Sequence, residues 1–180
     1  IAKVLTEGYV GSNKACDVSR NLEMPALTDK DKVALEIAKN CSIKDFSLSF
    51  CNRSDDVIEM RKRLDKGDKV ISKIESILGV RNVESIAIES DELLIDRGDL
   101  SREVAITSIP FIQRSIIGKA RAMNVPVNVA TNLLDSMITK RTPTRSEVND
   151  VVSTLLMGAN GLVLAAETAI GKHPVLSVKM

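Results

Sequence analysis

Lys73, Glu75, Asp99, Thr131 and Glu167 are side chains of the kind that does chemistry, and they recur at intervals along this chain. Lys73 and Glu75 are separated by one residue, so on an extended strand their side chains share a face. A lysine beside a carboxylate, away from water, is unfavourable unless further charge balances it. A divalent cation held by Glu75 and Asp99 supplies that balance and changes the local charge logic. A few hard oxygen ligands suit Mg2+ or Mn2+, which keep some waters and leave room for a substrate. Gly98 lets backbone come close to a ligand, and Thr131 offers a hydroxyl to a substrate carboxylate. The plainer alternative is a structural Lys73–Glu75 ion pair, with Asp99 capping a helix before Leu100. Residue types alone leave both open.

The elements that must position these groups alternate. Thr28 caps a first helix that ends at Asn40, with acids in its first turn. Residues 45–50 read as a strand, and Ser54 caps a second helix. Residues 69–75 are a second strand, a short helix lies near 80–86, and 92–96 is a third strand. Pro110 opens a helix running to about Met123. Residues 126–130 are a fourth strand, 146–157 a helix, 161–165 a fifth strand, and Pro174 opens a last helix. Strict alternation with short connections predicts a parallel sheet with right-handed crossovers. The strands end in Lys73-Ile-Glu75, Arg97-Gly-Asp99, Thr131-Asn132 and Glu167-Thr168. Carboxyl ends of parallel strands converge on active sites, so these distant residues are expected to meet.

Composition narrows the field. The chain has 180 residues, 44% apolar but only 2% aromatic, so branched aliphatics must fill the core. That length is short of the roughly 250 residues of a closed (β/α)8 barrel. Twenty-five basic against twenty-four acidic residues give +1, which favours neither nucleic acid nor a membrane surface. Cys16, Cys41 and Cys51 form no C-x-x-C pair and read as reduced thiols of a cytoplasmic protein. The chain opens at Ile1 and stops at Met180 inside a helical pattern, which suggests a larger parent chain. Residues 1–24 read as a small β remnant, a hairpin around Glu7-Gly8, plus linker. Residues 25–180 read as an incomplete α/β barrel of the TIM (β/α)8 type, about five βα units.

Several runs together resemble the pyruvate kinase family. Val70-Ile-Ser-Lys-Ile-Glu75 with Gly79-Val80 is similar to its lysine-and-glutamate strand. Leu94-Ile-Asp-Arg-Gly-Asp-Leu100 resembles its Arg-Gly-Asp-Leu turn. Residues 126–137, PVNVATNLLDSM, resemble the strand with its substrate threonine. Pro143-Thr-Arg-Ser-Glu147 resembles a family loop, and residues 161–171, GLVLAAETAIG, resemble its last strand and turn. Residues 8–14 are weakly similar to the end of its lid domain. The resemblance implies a glycolytic phosphotransferase acting on phosphoenolpyruvate and ADP to give pyruvate and ATP, as a homo-oligomer. It implies that Lys73 neutralises the transferring phosphoryl group and the enolate oxygen, and that Glu75 and Asp99 hold Mg2+. Gly98, Asp99 and Thr131 then hold the substrate carboxylate, Glu167 lies near the proton-transfer region, and Lys14 touches nucleotide. K+ is also implied, although its expected ligands belong to earlier strands not in this chain.

The sequence departs from the family at three places. The early strands with their phosphate-binding residues are absent. Ala165 and Ala166 replace a serine and a glycine, and alanine cannot relay a proton. Asp96 stands where the family has a small residue; it either weakens metal binding by repulsion or pairs with Arg97 or Lys73. A degenerate metabolite-binding barrel, or a Mg2+-dependent 2-oxo acid lyase or decarboxylase, therefore remains an alternative. Arg97 reads as either substrate-facing or a brace, Arg145 and Glu147 as a structural pair. His173 reads as a solvated cap, and the basic cluster Arg61-Lys-Arg63 as a solvated face.

Overall fold

The computed structural model describes residues 3–9, 11 and 24–180. Residues 3–9 carry no strand, so that part of the expected hairpin is not formed. Lys14, Cys16 and the linker up to residue 23 lie outside the described residues.

Helix α1, Asp29–Asn40, begins at a reciprocal cap: Asp31 N–H donates to the Thr28 hydroxyl, and Thr28 N–H donates to the Asp31 carboxylate. Strand β1, Asp45–Leu48, turns Phe46 and Leu48 inward. Helix α2, Ser54–Arg61, follows, but Arg53 and not Ser54 holds the capping position. The Asp56 carboxylate accepts the Asn52 and Arg53 N–H groups at 2.8 and 2.9 Å. Strand β2, Lys69–Ile74, leads to α3, Ile77–Arg81, and α4, Val83–Glu89, two short helices where one was expected. Strand β3 is Glu92–Asp96. Residues 97–100, expected as a turn or as the start of a helix capped by Asp99, lie within helix α5, Arg97–Glu103. Helix α6, Ile109–Ala122, carries Pro110 in its first turn, where the missing N–H is harmless. Strand β4, Val127–Ala130, is followed by a 3-10 turn, Asp135–Ile138, and α7, Arg145–Met157. Gly158 ends α7 at φ 102°, the left-handed geometry that glycine adopts freely. Strand β5, Gly161–Val163, and helices α8, Ala166–Ala169, and α9, Pro174–Lys179, complete the described chain.

All strands are parallel, in the order β1-β2-β3-β4-β5. A parallel sheet laid down in chain order always steps the same way. Right-handed crossovers then put its helices on one side. That is an arc of a (β/α)8-type barrel wall; a doubly wound sheet reverses its order at a switch point.

Burial follows the two faces. Val70, Ile74, Leu93, Ile95, Val127 and Val129 are fully buried between sheet and helices, where Ile86, Ile116 and Ile117 meet them. The opposite face carries Lys73, Leu94 and Asn128, which are neighbours in the strand register. Asp96 pairs with Ala130 on that face, and Glu75 lies one step beyond the Ile74–Ile95 pair. Lys73, Glu75 and Asp96 are therefore brought together by register before any side-chain preference acts.

Candidate active site

Lys73 Nζ stands 2.5 Å from Glu75 Oε1 and 3.3 Å from Asp96 Oδ2. Glu75 is 1% exposed and Asp96 8%. Glu75 Oε2 accepts the Phe50 N–H at 2.5 Å, so the β1 loop also closes on this carboxylate. Phe50 sits at φ 49°, a strained turn that aims its N–H inward. Apart from the Lys73 ion pair, the buried Glu75 Oε1 has no hydrogen-bond partner. Burial works to lower the Lys73 pKa, but the hydrogen bond and charge of Glu75, then of Asp96, outweigh it and raise it. Burial also raises Glu75. Lys73 and the Phe50 N–H oppose that rise only in part, and the Asp96 charge adds to it.

Oxygens of Glu75, Asp96 and Asp99 all lie within 4.8 Å of one another. Carboxylates this close repel, and Lys73 brings one positive charge to them. A set of hard oxygen donors with excess negative charge, one of them a buried oxygen whose partner among the described residues is the Lys73 ammonium, fits Mg2+ or Mn2+. Asp99 also pairs with Arg102 at 3.0 Å. It is not the cap of α5; Asp96 is, with its carboxylate accepting the Gly98 N–H. The plainer reading of Asp99 is thereby corrected: the cap lies at the strand end, three residues earlier.

Gly98 and Thr131 meet directly. The Gly98 N–H donates to Thr131 Oγ1 at 2.7 Å and reaches Asp96 Oδ1 at 3.2 Å. A Cβ at Gly98 would stand 3.3 Å from that hydroxyl, tighter than most contacts. The Thr131 proton has two acceptors in range, Ala130 O at 2.7 Å and Asp96 Oδ1 at 3.1 Å. Thr131 and Asn132 both adopt positive φ, 67° and 52°. Their carbonyls turn onto the Arg97 guanidinium, which donates to Thr131 O at 3.1 and 2.7 Å and to Asn132 O at 2.9 Å. Arg97 also bonds Asp150 at 2.7 Å and Gln113 at 3.4 Å, and is 7% exposed. Arg97 is a brace for the Thr131 loop.

Glu167 is fully buried. Its oxygens accept the Leu134 N–H at 3.3 Å and the Ala165 N–H at 3.0 Å. It bolts α8 to the segment after β4; among the described residues no hydrogen bond or ion pair joins it to Lys73, Glu75 or Asp96.

Glu147 is structural, but through other partners than Arg145. It accepts from Ser136 N–H and hydroxyl at 2.7 and 2.5 Å, and from Thr144 N–H and hydroxyl at 2.6 and 2.8 Å. Burial pushes its pKa up, but Ser136 and then Thr144 overcome this and hold it at about 2, from 4.5. A depressed carboxylate contributes stability that is complete above its unfolded pKa and lost as pH falls through the folded one. Glu147→Gln is expected to cost about 1–2 kcal/mol at neutral pH. Thermal melts should show the wild type losing this advantage as pH falls from about 4.5 toward about 2, and the variant having none to lose.

Cys51 is buried in the core, and burial pushes its thiol up to about 12; Cys41 is exposed. Arg61 pairs with Asp91, and Lys62 and Arg63 with Glu59, as a solvated face does. His173 occupies the capping position of α9 without a side-chain cap bond. No helix among the described residues is long and apolar enough to cross a membrane.

A family model described as pyruvate kinase, barrel domain, matches residues 1–178. The pyruvate kinase of Clostridium acetobutylicum is 36% identical over 183 residues, covering 99% of this chain and 39% of that protein. That of Thermotoga maritima is 37% identical over 163 residues, 89% of this chain and 35% of the relative. That of Thermococcus litoralis is 38% identical over 181 residues, 98% and 38%. The chain spans about two fifths of the length of these relatives. Parallel strands in chain order, the lysine–carboxylate group at their carboxyl ends and this family match agree: the chain belongs to the pyruvate kinase barrel-domain family.

Proposed function

We propose that this chain supplies the metal, lysine and carboxylate-binding part of a pyruvate kinase-type site, in a cytoplasmic phosphotransferase acting on phosphoenolpyruvate and ADP. The observation that carries the reading is Lys73 Nζ set against Glu75 and Asp96, with Asp99 beside them, at the carboxyl ends of β2 and β3. In the reaction a terminal ADP oxygen bonds to phosphorus, the enol oxygen–phosphorus bond breaks, and the enolate takes a proton. Such transfer depends on positioning and on neutralising oxygen charge. Lys73 faces the phosphoryl and enol oxygens. The Gly98 N–H and Thr131 hydroxyl take the substrate carboxylate, and Arg97 holds the loop that presents Thr131. Glu75 and Asp99 would hold Mg2+, which would supply further neutralisation of oxygen charge. Glu167 acts as a positioning residue for the turn after β5, through its bonds to the Leu134 and Ala165 N–H groups.

The test is pyruvate formation from phosphoenolpyruvate and ADP, with Mg2+ and K+, by the complete natural polypeptide. Pyruvate appearing only with nucleotide and metal supports the reading. Oxaloacetate turnover without nucleotide would point to a lyase instead, and binding without turnover to a degenerate barrel. Glu75→Gln is expected to weaken Mn2+ binding by at least about 100-fold, the upper end of what outer ligand partners alone cost. Electron paramagnetic resonance of free Mn2+ measures it, and unchanged affinity would remove Glu75 from the metal site.

A further inference from the structure

Asp96 occupies an unusual position for a side chain. Its Oδ1 lies 3.2 Å from the Gly98 nitrogen and 3.1 Å from Thr131 Oγ1. Its Oδ2 lies 3.3 Å from Lys73 Nζ. A backbone N–H, a hydroxyl and an ammonium converging on one carboxylate form a recognition pattern for an anion. Here a carboxylate of the protein itself fills it, at 8% exposure. The position is over-determined: the register puts Asp96 beside Ala130, and its Oδ1 caps α5.

We propose that Asp96 is a specificity-determining residue that stands in the place of the substrate carboxylate, favouring a divalent cation at this site and disfavouring an anionic oxo acid. The inference rests on the functional reading above and adds to it a built-in competitor. Two consequences of opposite sign follow from one charge. An incoming carboxylate must displace Asp96 from the Gly98 nitrogen and the Thr131 hydroxyl, which also have Thr131 Oγ1 and Ala130 O as acceptors at 2.7 Å, and meets the Asp96 charge in repulsion. A cation instead meets a third carboxylate oxygen within 4.8 Å of those of Glu75 and Asp99. Lys73 is drawn into the same competition, because Asp96 holds part of the positive charge that a phosphoryl oxygen would need.

The test uses Asp96→Ala and Asp96→Ser in the complete natural polypeptide. Serine keeps a short acceptor at the start of α5 but cannot reach Lys73, which protects the fold. Mn2+ alone is titrated first, then oxalate at saturating Mn2+ by calorimetry. Oxalate is expected to bind at least about tenfold tighter in both variants, and Mn2+ alone several-fold weaker. A purely structural role for Asp96 would weaken both. Oxalate affinity unchanged or reduced in Asp96→Ser, with its thermal melt still cooperative, overturns the proposal. If wild type and variants bind Mn2+ but none binds oxalate, this proposal fails while the metal part of the functional reading stands. If none binds Mn2+ either, that reading fails with it.

Discussion

Lys73→Met is expected to reduce turnover by about 10^3-fold or more while Mn2+ stays bound. Methionine keeps an unbranched side chain one atom shorter than lysine and removes its charge and donors. In the proposed reaction, Lys73 is the positive side chain placed against the reacting oxygens. Loss of one such preorganised electrostatic contact typically costs about 10^2–10^3 in rate. Phosphoryl transfer leans on charge cancellation more heavily, which sets the larger figure. Metal affinity should rise, since the cation no longer faces an ammonium 2.5 Å from Glu75. The same change removes the partner that restrains the Glu75 pKa, so Glu75 rises further and metal binding becomes more sensitive to acid. Turnover and Mn2+ titrations across pH check both statements. A structural ion pair would behave differently: Lys73→Met would lower the melting temperature and leave kcat near wild type.

Arg97→Leu is expected to destabilise the fold by about 2–4 kcal/mol, chiefly because it leaves two inward carbonyls without their shared donor, with a smaller loss at the 37% exposed Asp150. For a chain of this size that corresponds to roughly 10 °C in melting temperature. The reason is local strain. Thr131 and Asn132 hold positive φ without being glycine, at about 1–3 kcal/mol each. The Arg97 fork offsets this by bonding both carbonyls at once. Arg97→Lys tests the fork itself: one ammonium cannot span Thr131 O, Asn132 O and Asp150, so lysine should recover only part of the stability. Because Thr131 rides on this loop, oxalate binding should weaken in both variants, whereas Mn2+ binding at Glu75 and Asp99 should hold. Wild-type stability in Arg97→Leu, with binding lost, would make Arg97 a substrate contact instead.

The elements with strong local signals were legible in the sequence. Thr28 and Asp31 announce α1, Pro110 announces α6, and the aliphatic runs of β2, β3 and β4 stop within a residue or two of their expected ends. The start of helix α5 was not legible: a helix after Asp99 was one reading, but Arg97-Gly-Asp99 itself carries a glycine and no apolar period. It forms because Asp96 caps it and Leu100 is drawn fully into the core. The Arg145–Glu147 pairing failed for a similar reason. Neighbours in sequence suggested each other, while the capping geometry gave Glu147 to Thr144 and Ser136.

By itself the sequence determined the alternation of helix and strand, the aliphatic core, and which strand ends carry Lys73, Glu75, Asp99 and Thr131, because periodicity and turn chemistry are local properties. Only the tertiary structure decided that the strands run in chain order and that Arg97 braces a loop 34 residues away. It also chose, among the roles open to Asp96, the contact with Lys73, and gave the Glu167 carboxylate to the Leu134 and Ala165 N–H groups. Those outcomes depend on strand register and on which buried polar groups find each other. A buried charge or carbonyl must be satisfied by whatever donor the packed fold brings within reach, however distant in sequence.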